Sequence, residues 1–286
     1  MSISDWILFE FPDKDELIPA RHQFHQALQN IGCIGRSYLD DVPGDINANL
    51  EWDENLKRLA SRWIEAEMTF RSSFSLGEFS VLLVDELFHT ISAFPLQGKK
   101  QNDVMVWLEE EIDVLGLKSS DLSLELPYEI PDYPTARGEA FNVSSELAGK
   151  EFEAWFHNAN LVLRGITNGL DEASEVRCWP HHFDIASLIT LQDTGDPETS
   201  KSINIGMSPG DDNYDEPYFY VSPWPYPVEE LPDISNTGGF WHEDNWIGAI
   251  LRASDISHLS TAEQQFAVIT GFFQKTIPIT RSLLGE

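Results

Sequence analysis

The sequence predicts an α+β protein in which helices cover antiparallel β-sheet. Three observations predict it. Apolar residues recur at helical spacing in four separate stretches. Between these stretches lie short runs rich in aromatic and β-branched residues, joined by turns of hairpin length. Helices and strands are grouped rather than alternating one for one, which favours antiparallel sheet. The order is helix, strands, helix, then helix, strands, helix again. This suggests two similar halves, although no residue-level repeat links them. The expected organisation is an N-terminal half over 1–126, a linker over 127–143 and a C-terminal half over 144–286 that carries the candidate site.

The first helix is predicted over 15–38, where Leu17, Phe24, Leu28, Ile31 and Tyr38 recur at three-, four- and seven-residue steps. Pro19 suits only its first turn. His22 and His25 lie three apart on it, a spacing that alone is weak evidence for a metal. Residues 49–86 read as strands, with a hairpin between 70–74 and 79–85 turning at Leu76-Gly77-Glu78. A second helix is expected over 103–115, with Asp103 as its N-cap and Gly116 as its stop. Leu122, Leu124 and Leu126 alternate with polar residues, as in a half-buried strand. Residues 127–143 hold three prolines and no periodicity, hence the linker.

A third helix follows from Ser145, with Phe152, Phe156, Ala159, Leu163, Ile166 and Leu170 as its stripe. Residues 176–191, VRCWPHHFDIASLITL, read as one long strand. Later strands are expected at Ile203–Ile205, Tyr218–Val221 and Ile247–Leu251. The last helix opens on the capping box Ser260-Thr261-Ala262-Glu263, shows Phe266, Ile269 and Phe273 on its apolar face, and should kink or end at Pro278.

The charge balance narrows the function. The 286 residues carry 18 Lys+Arg against 48 Asp+Glu, a net charge of −30. Such a surface repels phosphate backbones, so no nucleic-acid partner is expected. No window approaches the roughly 18 apolar residues of a membrane helix, and the N-terminal stretch lacks a basic segment followed by an apolar run. A cytoplasmic protein without a membrane partner is the expectation. Two cysteines, Cys33 and Cys178, give no disulfide framework.

The 176–191 stretch carries the candidate chemistry. On one continuous strand, His182 and Asp184 share a face with Cys178, Ala186 and Leu188. The pair suits three roles: metal ligands, an acid/base pair in which Asp184 orients the imidazole, or a buried hydrogen-bonded pair. A metal needs further ligands, and His242 and Glu243 in the loop GGFWHEDNW are the candidates. GMSPGD, residues 206–211, lacks the spacing of a phosphate loop and reads as a turn needing glycine at positive φ. Aromatics are dense nearby: Trp179, Tyr218, Tyr220, Trp224, Tyr226, Trp241 and Trp246. They build either core or a pocket wall.

Four motifs occur in order: Trp179-Pro180-His181-His182-Phe183-Asp184, Gly206-Met207-Ser208-Pro209-Gly210-Asp211, Glu216-Pro217-Tyr218-Phe219-Tyr220-Val221, and the Trp241 loop followed by Gly248-Ala249. Together they resemble a bacterial family of unknown function, most specifically over 176–251. The resemblance implies no activity. It matches His182, Asp184, Ser208, Asp211, Glu216 and Tyr218. At position 181 the family favours an acidic residue, so His181 is not expected to be an obligatory ligand.

Three functional readings result. The first is a small-molecule-binding protein with an aromatic-lined pocket on the 176–191 strand, using Trp179, His182, Asp184, Tyr218, Tyr220 and Trp241. The second is a metal-dependent enzyme, such as a hydrolase, with His182 and Asp184 as catalytic candidates and a divalent metal held by His182, Asp184, His242 and Glu243. The third is a structural or interaction protein with a buried polar network.

Overall fold

A computed structural model describes residues 3–196 and 198–286. It contains five α-helices and antiparallel sheet, an α+β fold. By internal contacts the chain divides into two compact units. One comprises Pro12–Glu153 with Arg177–Phe183. The other comprises the N-terminal residues to Phe11, Ala154–Val176 and Asp184–Glu286. Among the described residues no helix is long and apolar enough to cross a membrane.

The first unit is built around α1 (Lys14–Tyr38). The Asp13 carboxylate caps it, accepting from the Asp15 N–H at 2.9 Å. Pro19 lies beyond the first turn, so α1 forgoes one internal hydrogen bond there. Beside α1 the strands β1 (Glu51–Asp53), β2 (Arg58–Ala60), β3 (Phe70–Ser75), β4 (Ser80–Asp85) and β5 (Thr90–Pro95) form an antiparallel meander in chain order. The 70–85 hairpin forms as expected, with Ser75 paired to Ser80 across the turn. β5 was not anticipated. It is a half-exposed edge strand ending in proline, with no apolar run to announce it. Phe24 packs edge-on against Phe74, Phe79 and Phe152, at 5.4–5.9 Å between rings.

α2 (Gln101–Val114) starts two residues earlier than predicted. Lys100 is its N-cap, and Asp103 accepts from the Lys100 N–H at 2.8 Å as the third residue of a capping box. Residues 122–126 do not form a strand. Their burial alternates as predicted, but no described segment pairs with them. Half-buried alternation without a ladder partner is extended chain, not sheet. α3 (Glu146–Thr167) begins in this unit, and Phe152 is fully buried in it.

The long strand predicted over 176–191 is corrected. β6 (Arg177–Trp179) ends at a turn over 180–183, and β7 (Asp184–Gln192) starts afresh. The cause is a polar stripe on α1. His25 Nε2–H and Gln29 Nε2–H both donate to the Pro180 carbonyl, at 3.0 and 2.8 Å. His25 also stacks on Phe183, whose φ is +56°. Two helix donors on one carbonyl hold the turn, and Phe183 in the left-handed region ends the extended run.

In the second unit α3 continues from Ala154, and the sheet strands β7, β8 (Lys201–Ser208), β9 (Tyr218–Trp224), β10 (Phe240–His242) and β11 (Gly248–Arg252) lie in the order β10-β11-β9-β8-β7. A short α4 (Ala253–Ile256) and α5 (Ala262–Leu283) follow. α5 runs through Pro278 rather than ending there. Phe219 of β9 meets Trp155 at 5.4 Å and Phe273 at 5.8 Å, which places the core between the sheet and its helices. Phe156, Leu163 and Phe273 are fully buried, and Phe266 is half-buried against Trp6. The N-terminal segment is tied in by amides. Asn158 brackets the Ile7 backbone, and the Gln265 carbonyl oxygen accepts from Trp6 Nε1–H and Phe9 N–H.

Phe156→Ala should lower stability by about 3–5 kcal/mol in a urea titration, as truncating a fully buried ring leaves a cavity. A second expectation concerns acid. Burial drives the His25 imidazole down from 6.5 to about 4, and His181 likewise to about 4. For His25 the Pro180 bond opposes this, and His182 reinforces it. The folded chain therefore refuses protons that the unfolded chain takes up below 6.5. Stability from the neutral imidazoles is complete above that pH and is lost as pH falls towards 4. Histidine NMR titration should show the His25 ring neutral at pH 5, with the melting midpoint falling between pH 6.5 and 4.

Candidate functional site

The register of β7, β8, β9 and β11 sorts their side chains onto two faces. Ile185, Met207, Phe219 and Leu251 align across the four strands on the apolar face, all 1% exposed or less. Ala186, Gly206, Tyr220 and Ile250 align on the opposite face, which also carries Asp184, Ser208, Tyr218 and Arg252. This second face is polar yet buried, with Asp184 at 8% and Tyr218 at 4% exposure. Its polar groups must therefore be paired.

They are paired through phenols. Tyr220 Oη–H donates to Asp184 Oδ2 at 2.5 Å, and Tyr218 Oη–H donates to Asp211 Oδ2 at 2.7 Å. Burial, then the adjoining carboxylate, raises both phenols well above their usual range, so they remain protonated donors. Asp211 Oδ1 accepts from the N–H groups of Asn213 and Tyr214 and so shapes the loop. The His242 ring spends both nitrogens: the Asp244 carbonyl can only accept, so Nε2–H donates to it at 2.6 Å, and Nδ1 accepts from the Tyr214 hydroxyl at 2.8 Å.

Five rings close on one another: Tyr214, Tyr218, Tyr220, Trp246 and His242, with neighbouring centroids 4.6–6.4 Å apart. Two glycines make room for them. A Cβ on Gly206 would sit 2.5 Å from the Tyr220 ring and 2.8 Å from the Ile185 carbonyl, and one on Gly248 would sit 2.4 Å from Trp246. Gly206 is thus required by close approach within β8. In the GMSPGD turn it is Gly210, at φ +107°, that takes the positive φ.

The structure assembles the predicted residues only in part. Asp184, Tyr218 and Tyr220 share the buried face. Trp241 does not: it pairs with Ala249 in register with the apolar face and donates Nε1–H to the Pro232 carbonyl at 2.8 Å. Trp246 takes the place expected of it. Glu243 is exposed, and so is His182, in the 180–183 turn. Because the turn intervenes, His182 and Asp184 are not neighbours on one strand face. Trp179 lies edge-on to His181 at 5.8 Å. Glu216 caps α4, accepting from the N–H and hydroxyl of Ser254. Among the described residues no three His, Cys, Asp or Glu are grouped to hold a metal ion.

A second arrangement escaped the sequence reading. In the first unit a cleft of about 340 Å³ is lined by Leu39, Glu51, Ser61, Arg62, Trp63, Arg71 and Arg177. Arg71 is 2% exposed. Its Nη1–H and Nη2–H donate to Glu51 Oε1 and Asp53 Oδ2, and its guanidinium lies 4.5 Å from the Trp63 ring centre. Arg177 Nη1–H donates to Glu51 Oε2 at 3.2 Å. Arg62 donates to the Ile46 carbonyl and Asn49 Oδ1, at 3.0 and 3.1 Å. One signal was present in the sequence. Glu51 and Asp53, two apart on a short strand, share a face and so point to a common cation.

Tyr220→Phe should cost about 1–3 kcal/mol, since it leaves a buried carboxylate without its phenol. The added Asp184→Asn change should recover part of that loss in a double-mutant cycle read by urea unfolding.

Compared with protein-family models, with curated proteins and with solved structures, the chain matches none of them, so the residue roles rest on this geometry.

Proposed function

We propose that the protein binds a small molecule, and that it does so in the cleft bounded by Arg62, Trp63, Arg71 and Arg177. One observation carries this reading. The cleft, at about 340 Å³, falls within the ~300–1,000 Å³ typical of small-ligand sites. It combines an aromatic wall, an aliphatic wall and a few convergent polar groups. The tyrosine–carboxylate face is read differently. Its phenols and its imidazole are already bonded within the protein, which favours a brace for the sheet, as in the buried-network reading. In this reading the 176–191 stretch contributes Arg177, not His182, to the pocket.

A mixed-charge fragment library screened by thermal shift should yield compounds that raise the melting midpoint of the wild type and lose that effect in Trp63→Ala. Hits that stabilise Trp63→Ala equally would place binding elsewhere and defeat this reading.

A further inference from the structure

We propose that one end of the first unit's sheet docks a cationic, amphipathic segment of another protein. The proposal goes beyond the small-molecule reading and stands on different residues. The argument starts from strand pairing. Phe70 opens β3 and pairs with Asp85, the last residue of β4. Phe70 also pairs with Ile64, through backbone bonds of 2.7 and 3.1 Å. The loops 65–69 and 86–89 therefore leave the sheet at the same end, on neighbouring strands. Between them they expose Met68, Leu87 and Phe88, at 47%, 73% and 46%. Single exposed apolar residues need no explanation, but three on two adjacent loops mark an interaction surface.

The 86–89 turn is held in shape. Asp85 Oδ1 accepts from the N–H groups of Leu87 and His89, at 2.9 and 2.8 Å, and Phe88 N–H donates to the Asp85 carbonyl at 2.9 Å. Phe88 lies at φ +63°, where a bulky residue stays only when its surroundings impose it. Its ring centre is 6.1 Å from that of Trp63 and 5.5 Å from the Arg71 guanidinium. An incoming segment thus meets a preformed turn, and little entropy is lost in ordering it.

Charge decides the occupant. The two loops carry Glu65, Glu67 and Glu86, all exposed, and neither loop holds a Lys or Arg. Among the described residues none of these three carboxylates is bonded to another side chain. The cations closest in sequence are already committed: His89 lies 3.3 Å from the Asp85 carboxylate, and Arg71 is bonded to Glu51 and Asp53. Apolar side chains interleaved with unpaired carboxylates complement a segment that interleaves apolar residues with Lys or Arg. A second copy of this chain would set like charges against each other, and an anionic lipid surface would be repelled.

Peptide selection supplies the test. The immobilised full chain would be panned against random dodecapeptides displayed on phage, and enriched peptides would be titrated by fluorescence anisotropy. They should combine Lys or Arg with Leu or aromatic residues. The double variant Met68→Ser/Leu87→Ser, at two exposed positions, should weaken their binding about tenfold, as expected for apolar anchors of an interface. The triple variant Glu65→Gln/Glu67→Gln/Glu86→Gln should weaken it about tenfold as well and flatten its dependence on salt. The control Glu125→Gln/Glu129→Gln/Glu139→Gln, at exposed acids of another segment, should leave it unchanged. Equal weakening in that control would show general attraction to an acidic chain and overturn the proposal. So would enriched peptides that carry no positive charge, peptides that bind Met68→Ser/Leu87→Ser as tightly as wild type, or no enrichment at all. If sedimentation shows a dimer that Met68→Ser/Leu87→Ser dissociates, a second copy covers the surface and the proposal falls.

Discussion

The buried guanidinium of Arg71 sets the terms for the first unit. A charge at 2% exposure cannot be left uncompensated, because its desolvation cost is large. Glu51 and Asp53 supply the compensation from β1, two residues apart on one face. β1 has only three residues and pairs with β2, not with β3. The ion pairs therefore join β1 to β3 across the intervening strand. Trp63 then lies over the guanidinium, and Phe88 follows at 5.5 Å. Arg177 completes the set through the outer oxygen of Glu51. The cleft is what remains between these anchored groups.

The second unit meets the same demand by another route. Its buried polar face uses neutral donors on carboxylates: Tyr220 on Asp184 and Tyr218 on Asp211. A phenol costs far less to bury than a guanidinium. The rings also fill volume, so polar pairing and packing come from the same side chains. That economy depends on Gly206 and Gly248, where a methyl group would drive into the rings above. The result is closed. The cleft, built from long charged side chains that bond at their tips, leaves a space between them. The two solutions explain why residues that look most like a site in the sequence bond to one another, while those that look scattered line a cleft.

What the sequence revealed follows the range of each interaction. Helical periodicity is local, and α1, α2, α3 and α5 were legible from it. The 70–85 hairpin was legible for the same reason. The break at Pro180 was not, because its cause lies on α1: His25 and Gln29 reach one carbonyl some 150 positions away. Residues 122–126 show the converse, since alternation predicts a half-buried extended chain and not whether a neighbour will pair with it. The exchange of Trp241 for Trp246 was a matter of register. β10 pairs Trp241 with Ala249, which puts His242 and Trp241 on opposite faces. Arg62, Arg71 and Arg177 carry no shared motif, and only the fold brings them together.

The charge distribution ties these points together. At −30, the chain must find its few cations where they do the most. Arg71 neutralises two carboxylates, and Arg177 shares one of them. Arg252 is bonded to Asp255 and lies over the Phe240 ring. Arg281 bonds Glu172. Each of these arginines is bonded to at least one acid, as expected for a chain rich in carboxylates. In the cleft Arg62 also bonds neutral groups, the Ile46 carbonyl and the Asn49 amide oxygen. Neutral acceptors orient a guanidinium without cancelling its charge. The Ile46 carbonyl and Asn49 Oδ1 thus fix how Arg62 lines the cleft.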